Sequence, residues 1–166
     1  MSIKRIPAAH WDLAAEAFQA LLAQDSPEFL RLIAEMLECP WAVFWRYEAN
    51  AFESAVCWQA PALSPRGLPP QAQKPVSGGP CGSVWLHAGP RWSRDAVADA
   101  CMPRSLQADA AGLKMGLWFA LGAAPTIAGV VELRARRLNR LDDRGMHLFE
   151  RFGRRLPRTA IGRKGP

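Results

Sequence analysis

Tryptophan side chains and one strand carboxylate are the residues of this sequence best suited to bind a small molecule. The chain of 166 residues contains seven tryptophans, and each indole offers a large apolar surface with one N–H donor, which suits stacking on a flat ligand. A place in the core is the more frequent outcome for any single tryptophan. Glu132 lies in the apolar segment Ile127 to Leu133, where an unpartnered buried carboxylate would be costly. It therefore binds a ligand cation, pairs with Arg104 or Arg91, or lies exposed on the outer face of a sheet.

The cysteines and histidines are spaced in a way that argues against a metal site. No Cys-x-x-Cys pair is present, so the commonest zinc and thioredoxin-like spacings are missing and free thiols are predicted. The four cysteines are Cys39, Cys57, Cys81 and Cys101. The three histidines do not cluster, which argues against haem. They are His10, His87 and His147.

The net charge of +6 is concentrated near the end of the chain. Its last fifth contains the basic residues Arg134, Arg136, Arg137, Arg140, Arg144, Arg151, Arg154, Arg155, Arg158, Arg163 and Lys164. Since no recognised nucleic-acid motif accompanies them, they predict a solvated helix face followed by a basic tail. Contact with nucleic acid or with an acidic partner is the alternative.

Length and composition indicate one globular domain. A typical domain has about 100–200 residues, and a hydrophobic content of 49% with 22% charged residues is ordinary for a folded chain. No apolar run reaches the roughly 18 residues that span a bilayer, and the N-terminal segment lacks the apolar core of a signal peptide. We therefore expect a cytoplasmic protein.

Hydrophobic periodicity and breaker residues predict an α+β fold. Helices are predicted over Trp11 to Ala23, Ser26 to about Glu38, Gly82 to His87, Arg104 to Ala111 and Asp142 to Leu156. Strands are predicted over Trp41 to Tyr47, Phe52 to Trp58, Arg91 to Arg94, Met115 to Leu121 and Ile127 to Ala135. The proline-rich residues 59–80 are predicted to form a long loop, and residues 122–126 a hairpin connection. This order indicates an antiparallel sheet packed against terminal helices.

Three segments together resemble the signature of a known family. Ser77 to Asp95 contains Gly-Pro-Cys-Gly-Ser-Val-Trp followed by Gly-Pro-Arg-Trp, Arg104 to Leu113 ends in Ala-Ala-Gly-Leu, and Gly129 to Leu133 reads Gly-Val-Val-Glu-Leu. In this order and spacing they resemble the GAF domains attached to bacterial sensor kinases and cyclases, over roughly residues 25–156. Pro80 and Cys81 stand where that family usually has leucine and proline, so the turn is kept while its reactivity differs.

The resemblance implies a GAF/PAS-like sheet of about five or six antiparallel strands packed against N- and C-terminal helices. It divides the chain into an N-terminal helix (1–24), a GAF domain (25–156) and a basic C-terminal tail (157–166). It also implies a non-catalytic sensor for an unknown ligand, dimeric through its terminal helices and acting on a separate signalling output protein. The implied ligand-binding residues are Trp45, Trp58, Cys81, Trp85, Trp92, Asp95, Arg104, Trp118 and Glu132. The missing Cys-His pair argues against a bilin, and the missing asparagine-lysine and phenylalanine motif argues against cyclic nucleotides.

An enzymatic alternative rests on a different branch of the same family. The turn Gly78 to Gly82 is similar to the Gly-x-x-Cys-Gly turn of free methionine-(R)-sulfoxide reductases. By that resemblance Cys81 would attack the sulfoxide and Cys101 would resolve the intermediate as a disulfide. The strand that contains Glu132 and Arg134 lacks the aspartates which that branch uses near the sulfoxide, and this argues for the sensor.

Overall fold

The fold is an α+β arrangement around one sheet. The computed structural model describes residues 9, 13, 16, 17, 26–48, 51–63, 73–75, 81–84, 89–96, 111–121, 129–137, 147, 149 and 150. Within these ranges lie α1 (Glu28–Met36), β1 (Trp41–Glu48), β2 (Ala51–Gln59), β3 (Gln73–Pro75), β4 (Arg91–Ser93), β5 (Met115–Leu121) and β6 (Gly129–Ala135). Residues 9, 13, 16, 17, 81–84, 96, 147, 149 and 150 are also helical.

The six strands form a single sheet in the order β3-β2-β1-β6-β5-β4. Each neighbouring pair is antiparallel, so the predicted fold class and strand number are confirmed. Strands β5 and β6 pair from Met115 opposite Ala135 to Leu121 opposite Gly129, which is the hairpin pairing that the sequence predicts. The predicted connection, 122–126, lies outside the described residues, as do most of residues 1–24 and all of the tail from 157 to 166.

The prediction of one long loop over residues 59–80 is wrong in one place. Strand β3 lies within it and pairs with β2, with Ala51 opposite Pro75 and Glu53 opposite Gln73. A three-residue strand leaves almost no alternating pattern in a sequence. A proline is tolerated there because β3 is at the edge of the sheet, where one side of the strand needs no backbone donor.

Helix α1 is shorter than the predicted span. It begins at Glu28, whose backbone N–H donates to Ser26 Oγ over 3.4 Å, and it ends at Met36 rather than near Glu38. Glu38 adopts the left-handed conformation with φ of 55°, and the Cys39 N–H donates to the Ala34 carbonyl over 2.8 Å. This closing turn satisfies carbonyls at the helix end before Pro40 directs the chain into β1.

One face of the sheet packs against the helices. Phe44 of β1 and Phe119 of β5 lie in a buried cluster with Phe29 of α1. The helical residues Ala17 and Phe149, from opposite ends of the chain, join the same cluster, and the Phe149 ring centroid lies 4.9 Å from that of Phe119. Helical segments from both ends therefore cover this face. Among the residues described, no helix is long and apolar enough to cross a membrane.

Candidate functional site

The opposite face of the sheet is rich in tryptophan and contains the two charged residues that are buried within the described ranges. We call it the indole face, and its buried strand residues are Trp41, Val43, Trp45, Phe52, Trp118, Ala120, Val130, Glu132 and Arg134. Cys81 and Val84, from the helical residues 81–84, pack against it together with Ala96 and Leu113. Strands β1, β6 and β5 are adjacent. Glu132 lies opposite Val43 of β1 and opposite Trp118 of β5, whereas Trp45 lies opposite Val130 and is therefore a diagonal neighbour of Glu132.

Glu132 is buried and paired, which excludes two of the alternatives left open by the sequence. Its side chain is 2% exposed, and Oε1 lies 2.9 Å from Nε of Arg134, which is 1% exposed. Its other oxygen, Oε2, accepts a hydrogen bond of 2.7 Å from Trp45 Nε1. The predicted alternatives of exposure and of pairing with Arg91 are therefore wrong. Arg91 instead donates to Ser83 Oγ over 3.2 Å at the surface, and Arg104 lies outside the described residues.

Arg134 is a candidate site residue that the sequence does not predict. It was grouped with the solvated basic residues, and this assignment is wrong because the side chain is almost fully buried. The signal is the spacing Glu-x-Arg: residues two apart in a strand project from the same face, so a buried Glu132 places Arg134 beside it. A buried carboxylate requires such a partner, and the nearest candidate is on its own strand.

The Trp118 indole lies along its own strand over Gly116. A Cβ atom added to Gly116 would come within 2.2 Å of Trp118 Cη2 and 2.7 Å of Cζ3, so only glycine leaves room for this ring. Gly116 is also the cross-strand partner of Arg134. As a result the Arg134 guanidinium carbon lies 5.5 Å from the Trp118 ring centroid, within the range of a cation–π interaction.

This buried cluster leaves several donors without acceptors. Within the described part of the chain, four buried donors have no hydrogen-bond partner. Trp118 Nε1, Arg134 Nε and Arg134 Nη1 lie in this cluster, and Trp92 Nε1 lies on the helix-covered face. Arg134 Nε is close enough to Glu132 for an ion pair, yet its N–H is not aligned with the oxygen. Unsatisfied buried polar atoms are rare in folded proteins and usually mark a water, an ion or a ligand. The indole face is therefore our candidate binding site.

The other predicted site residues that the structure describes do not join this cluster. Trp58 and Trp92 are half-buried and pack against the helix-covered face, and Arg94 lies 5.9 Å from the Trp92 ring centroid. Asp95 is exposed, and its backbone N–H donates to Ser93 Oγ over 3.2 Å in the turn after β4. Trp85 is not among the described residues, so its proposed role stays a prediction.

Three cysteines within the described residues are free thiols. Cys81 is fully buried on the indole face, whereas Cys57 is exposed on β2. Burial raises the pKa of the Cys39 thiol to about 12, and the nearby Glu38 charge adds to this shift. Cys39 therefore stays protonated at neutral pH and acts as a small apolar residue. Cys101 lies outside the described residues.

Two other features of the described residues lie apart from the indole face. No group of three or more metal-ligating side chains occurs among them. A groove of about 280 Å³ lies where β1 begins and where β2 and β6 end. It is lined by Glu38, Pro40, Ala60, Ala62, Leu63, Ala135, Arg136 and Arg137. None of these residues was predicted to bind the ligand.

Comparison with known proteins identifies the fold. The sequence matches no protein-family model and no curated protein sequence. The structure is similar to the GAF domain of an Acinetobacter phosphoenolpyruvate-protein phosphotransferase, with a TM-score of 0.61, 11% identity and coverage of 94% of each chain. It is also similar to fRMsr of Staphylococcus aureus in its reduced form, with a TM-score of 0.57, 16% identity and coverage of 98% of this chain and 100% of that one.

A third similar structure is a free methionine-R-sulfoxide reductase from Neisseria meningitidis in complex with its substrate. Its TM-score is 0.57 at 15% identity, with coverage of 92% of this chain and 90% of that one. These similarities confirm the GAF-like fold that the sequence predicts. The similar structures include enzymes as well as other GAF domains, so the fold by itself does not distinguish binding from catalysis.

Proposed function

We propose that this GAF-like chain is a non-catalytic regulatory domain that binds a small molecule on the indole face. The observation that carries the proposal is the set of buried donors without acceptors on Trp118 and Arg134. A desolvated donor left unpaired costs about 1–3 kcal/mol, so an acceptor that entered this region would recover that energy. Apolar surroundings with a few convergent polar groups are typical of small-molecule sites.

The two faces of the sheet give the domain a physical route for signalling. A ligand on the indole face would contact β1, β5 and β6, and the helical residues Ala17 and Phe149 pack against the other side of that sheet. A change in sheet packing would thus reach both ends of the chain. We propose that the terminal helices form a homodimer and pass the signal to a separate output protein. Leu13, which is helical and 51% exposed, offers an apolar contact for such an interface.

Native mass spectrometry tests binding and dimerisation together. We expect protein purified without denaturation to have twice the chain mass plus that of one or two copies of a co-purifying small molecule, and acid to release this molecule. The variant Trp92→Phe, altered on the opposite face, should retain the molecule. A spectrum of the bare chain, with a melting temperature unchanged by a deproteinised extract of cellular metabolites, would contradict the binding role. A monomeric mass at all concentrations would contradict the dimer.

A sulfoxide reductase is the second candidate, because Cys81 lies on the same buried face as Glu132. The sequence of β6 argues against it, since Leu133-Arg134-Ala135 follows Glu132 and the aspartates that the reductase branch uses near the sulfoxide are missing. Cys81 is also enclosed by apolar side chains and is fully buried, which is typical of a structural cysteine rather than a solvent-accessible nucleophile.

A coupled assay separates the two candidates. We expect no consumption of NADPH above background when the protein is mixed with thioredoxin, thioredoxin reductase and free methionine-(R)-sulfoxide. The variants Cys81→Ser and Cys57→Ser should both match this background. Robust turnover that Cys81→Ser abolishes and Cys57→Ser preserves would instead establish the reductase.

A further inference from the structure

The polar groups of the indole face point to the chemistry of its ligand. We propose, as an extension of the binding role above, that the ligand presents a carbonyl or carboxylate oxygen to Trp118 Nε1 and Arg134 Nη1. These atoms are buried donors, and neither has an acceptor within the described residues. A ligand matched to donors must supply an acceptor, and an sp² oxygen accepts two hydrogen bonds.

The charges of the cluster exclude a cationic ligand. Both oxygens of Glu132 are engaged, one by Arg134 and the other by the Trp45 N–H. A ligand ammonium group would have to displace one of these partners and would then lie next to the Arg134 guanidinium. The cluster therefore selects against amines, although Glu132 taken alone would favour them.

The stacking of Arg134 on Trp118 brings the two sets of donors together. The guanidinium carbon is 5.5 Å from the indole ring centroid. The indole can lie there because residue 116 is glycine, since a side chain at that position would collide with the ring. One ligand oxygen, or the two oxygens of one carboxylate, can therefore be reached from both side chains. The Trp45 and Trp118 rings and the apolar residues Val84, Ala96 and Leu113 would contact the rest of the molecule.

A size-matched set of aromatic probes tests the inference. The probes are benzoate, acetophenone, benzylamine and ethylbenzene, titrated against the full chain by calorimetry and by melting temperature after removal of any co-purified compound. We expect benzoate and acetophenone to bind at least about tenfold more tightly than ethylbenzene, which offers no acceptor. Benzylamine should not bind. The ratio of benzoate to acetophenone affinity reports whether the site prefers an anion or a neutral carbonyl.

Paired variants assign the binding to the named donors. Trp118→Phe keeps an aromatic ring and removes one donor. It should lower the affinity for acetophenone about three- to tenfold and leave the affinity for ethylbenzene unchanged. Trp92→Phe makes the same change on the opposite face and should alter neither affinity. The double variant Glu132→Gln with Arg134→Met removes both charges together and should lower the affinity for benzoate at least about tenfold.

Each adverse result has a distinct meaning. If ethylbenzene binds as tightly as acetophenone, the acceptor inference is overturned while the binding role survives. If benzylamine is the preferred probe, the inference is likewise overturned. If no probe binds, the donors hold buried water alone and the inference fails; a co-purified compound in the native spectrum would still support the binding role.

Discussion

Replacement of Glu132 by glutamine is expected to destabilise the fold by about 3–5 kcal/mol, because it leaves the buried Arg134 guanidinium without its counter-charge. Glutamine keeps the shape of the side chain and an oxygen that can still accept from Trp45 Nε1, so the loss is one of charge rather than of packing. Arg134 is 1% exposed and Glu132 2%, and water therefore cannot replace the missing carboxylate. Urea unfolding followed by tryptophan fluorescence measures the difference in free energy of unfolding.

Two further variants separate this effect from that of an ordinary ion pair. Glu35→Gln removes the same charge from an exposed pair, in which Arg31 and Glu35 side chains are 38% and 51% exposed, and should cost at most about 1 kcal/mol. Adding Arg134→Met to Glu132→Gln removes the cation that Glu132→Gln leaves without a counter-charge, and should recover most of the lost stability. Equal losses for Glu132→Gln and Glu35→Gln would mean that the buried pair is solvated, contrary to the structure.

The elements that position this pair were largely predictable from sequence, because long strands carry strong patterns. The predicted strand Met115 to Leu121 has the same bounds as β5, and β6 begins only two residues after the predicted Ile127. Each contains long apolar stretches because both faces of the sheet are buried, one by helices and the other by Cys81, Val84, Ala96 and Leu113. Such stretches identify strands clearly and hide which face each residue occupies.

The assignment of tryptophans to faces could not be predicted, because it depends on strand register. A register shift between Phe44 and Trp45 interrupts the pairing of β1 with β2. Phe52 and Val56 are four residues apart on β2, yet Phe52 packs on the indole face and Val56 on the helix-covered face. An irregularity of this kind reverses the alternation along a strand. Trp58 pairs with Ala42, beyond the register shift. Its side chain therefore packs on the helix-covered face, whereas that of Trp45 lies on the indole face.

Arg134 was missed for a different physical reason. Composition places it among many arginines near the end of the chain, and an arginine is almost never fully buried without a partner. Only the combination of a buried Glu132 with the two-residue period of a strand predicts its position. Local context in a strand is therefore more informative about a charged residue than the charge of the surrounding segment.

Gly116→Ala is expected to displace the Trp118 indole and to destabilise the protein by up to about 3 kcal/mol, the upper end of the range for overpacked sites. The added methyl carbon would lie 2.2 Å from Trp118 Cη2 and 2.9 Å from Cζ2, well inside van der Waals contact. The ring cannot remain over the strand, so its stacking with Arg134 is lost as well. The affinity for the acetophenone probe should fall at least about threefold, as for Trp118→Phe, since the indole N–H has moved.

A double-mutant cycle attributes this loss to the indole. Trp118→Val alone removes the ring and should cost about 3–5 kcal/mol, as for other large-to-small core changes. In that background Gly116→Ala should add less than about 1 kcal/mol, because the three ring atoms closest to the added methyl group are then absent. If Gly116→Ala lowers the free energy of unfolding by the same amount with and without Trp118, its effect arises from the strand backbone. The glycine would then not be the residue that allows the indole to lie beside Arg134.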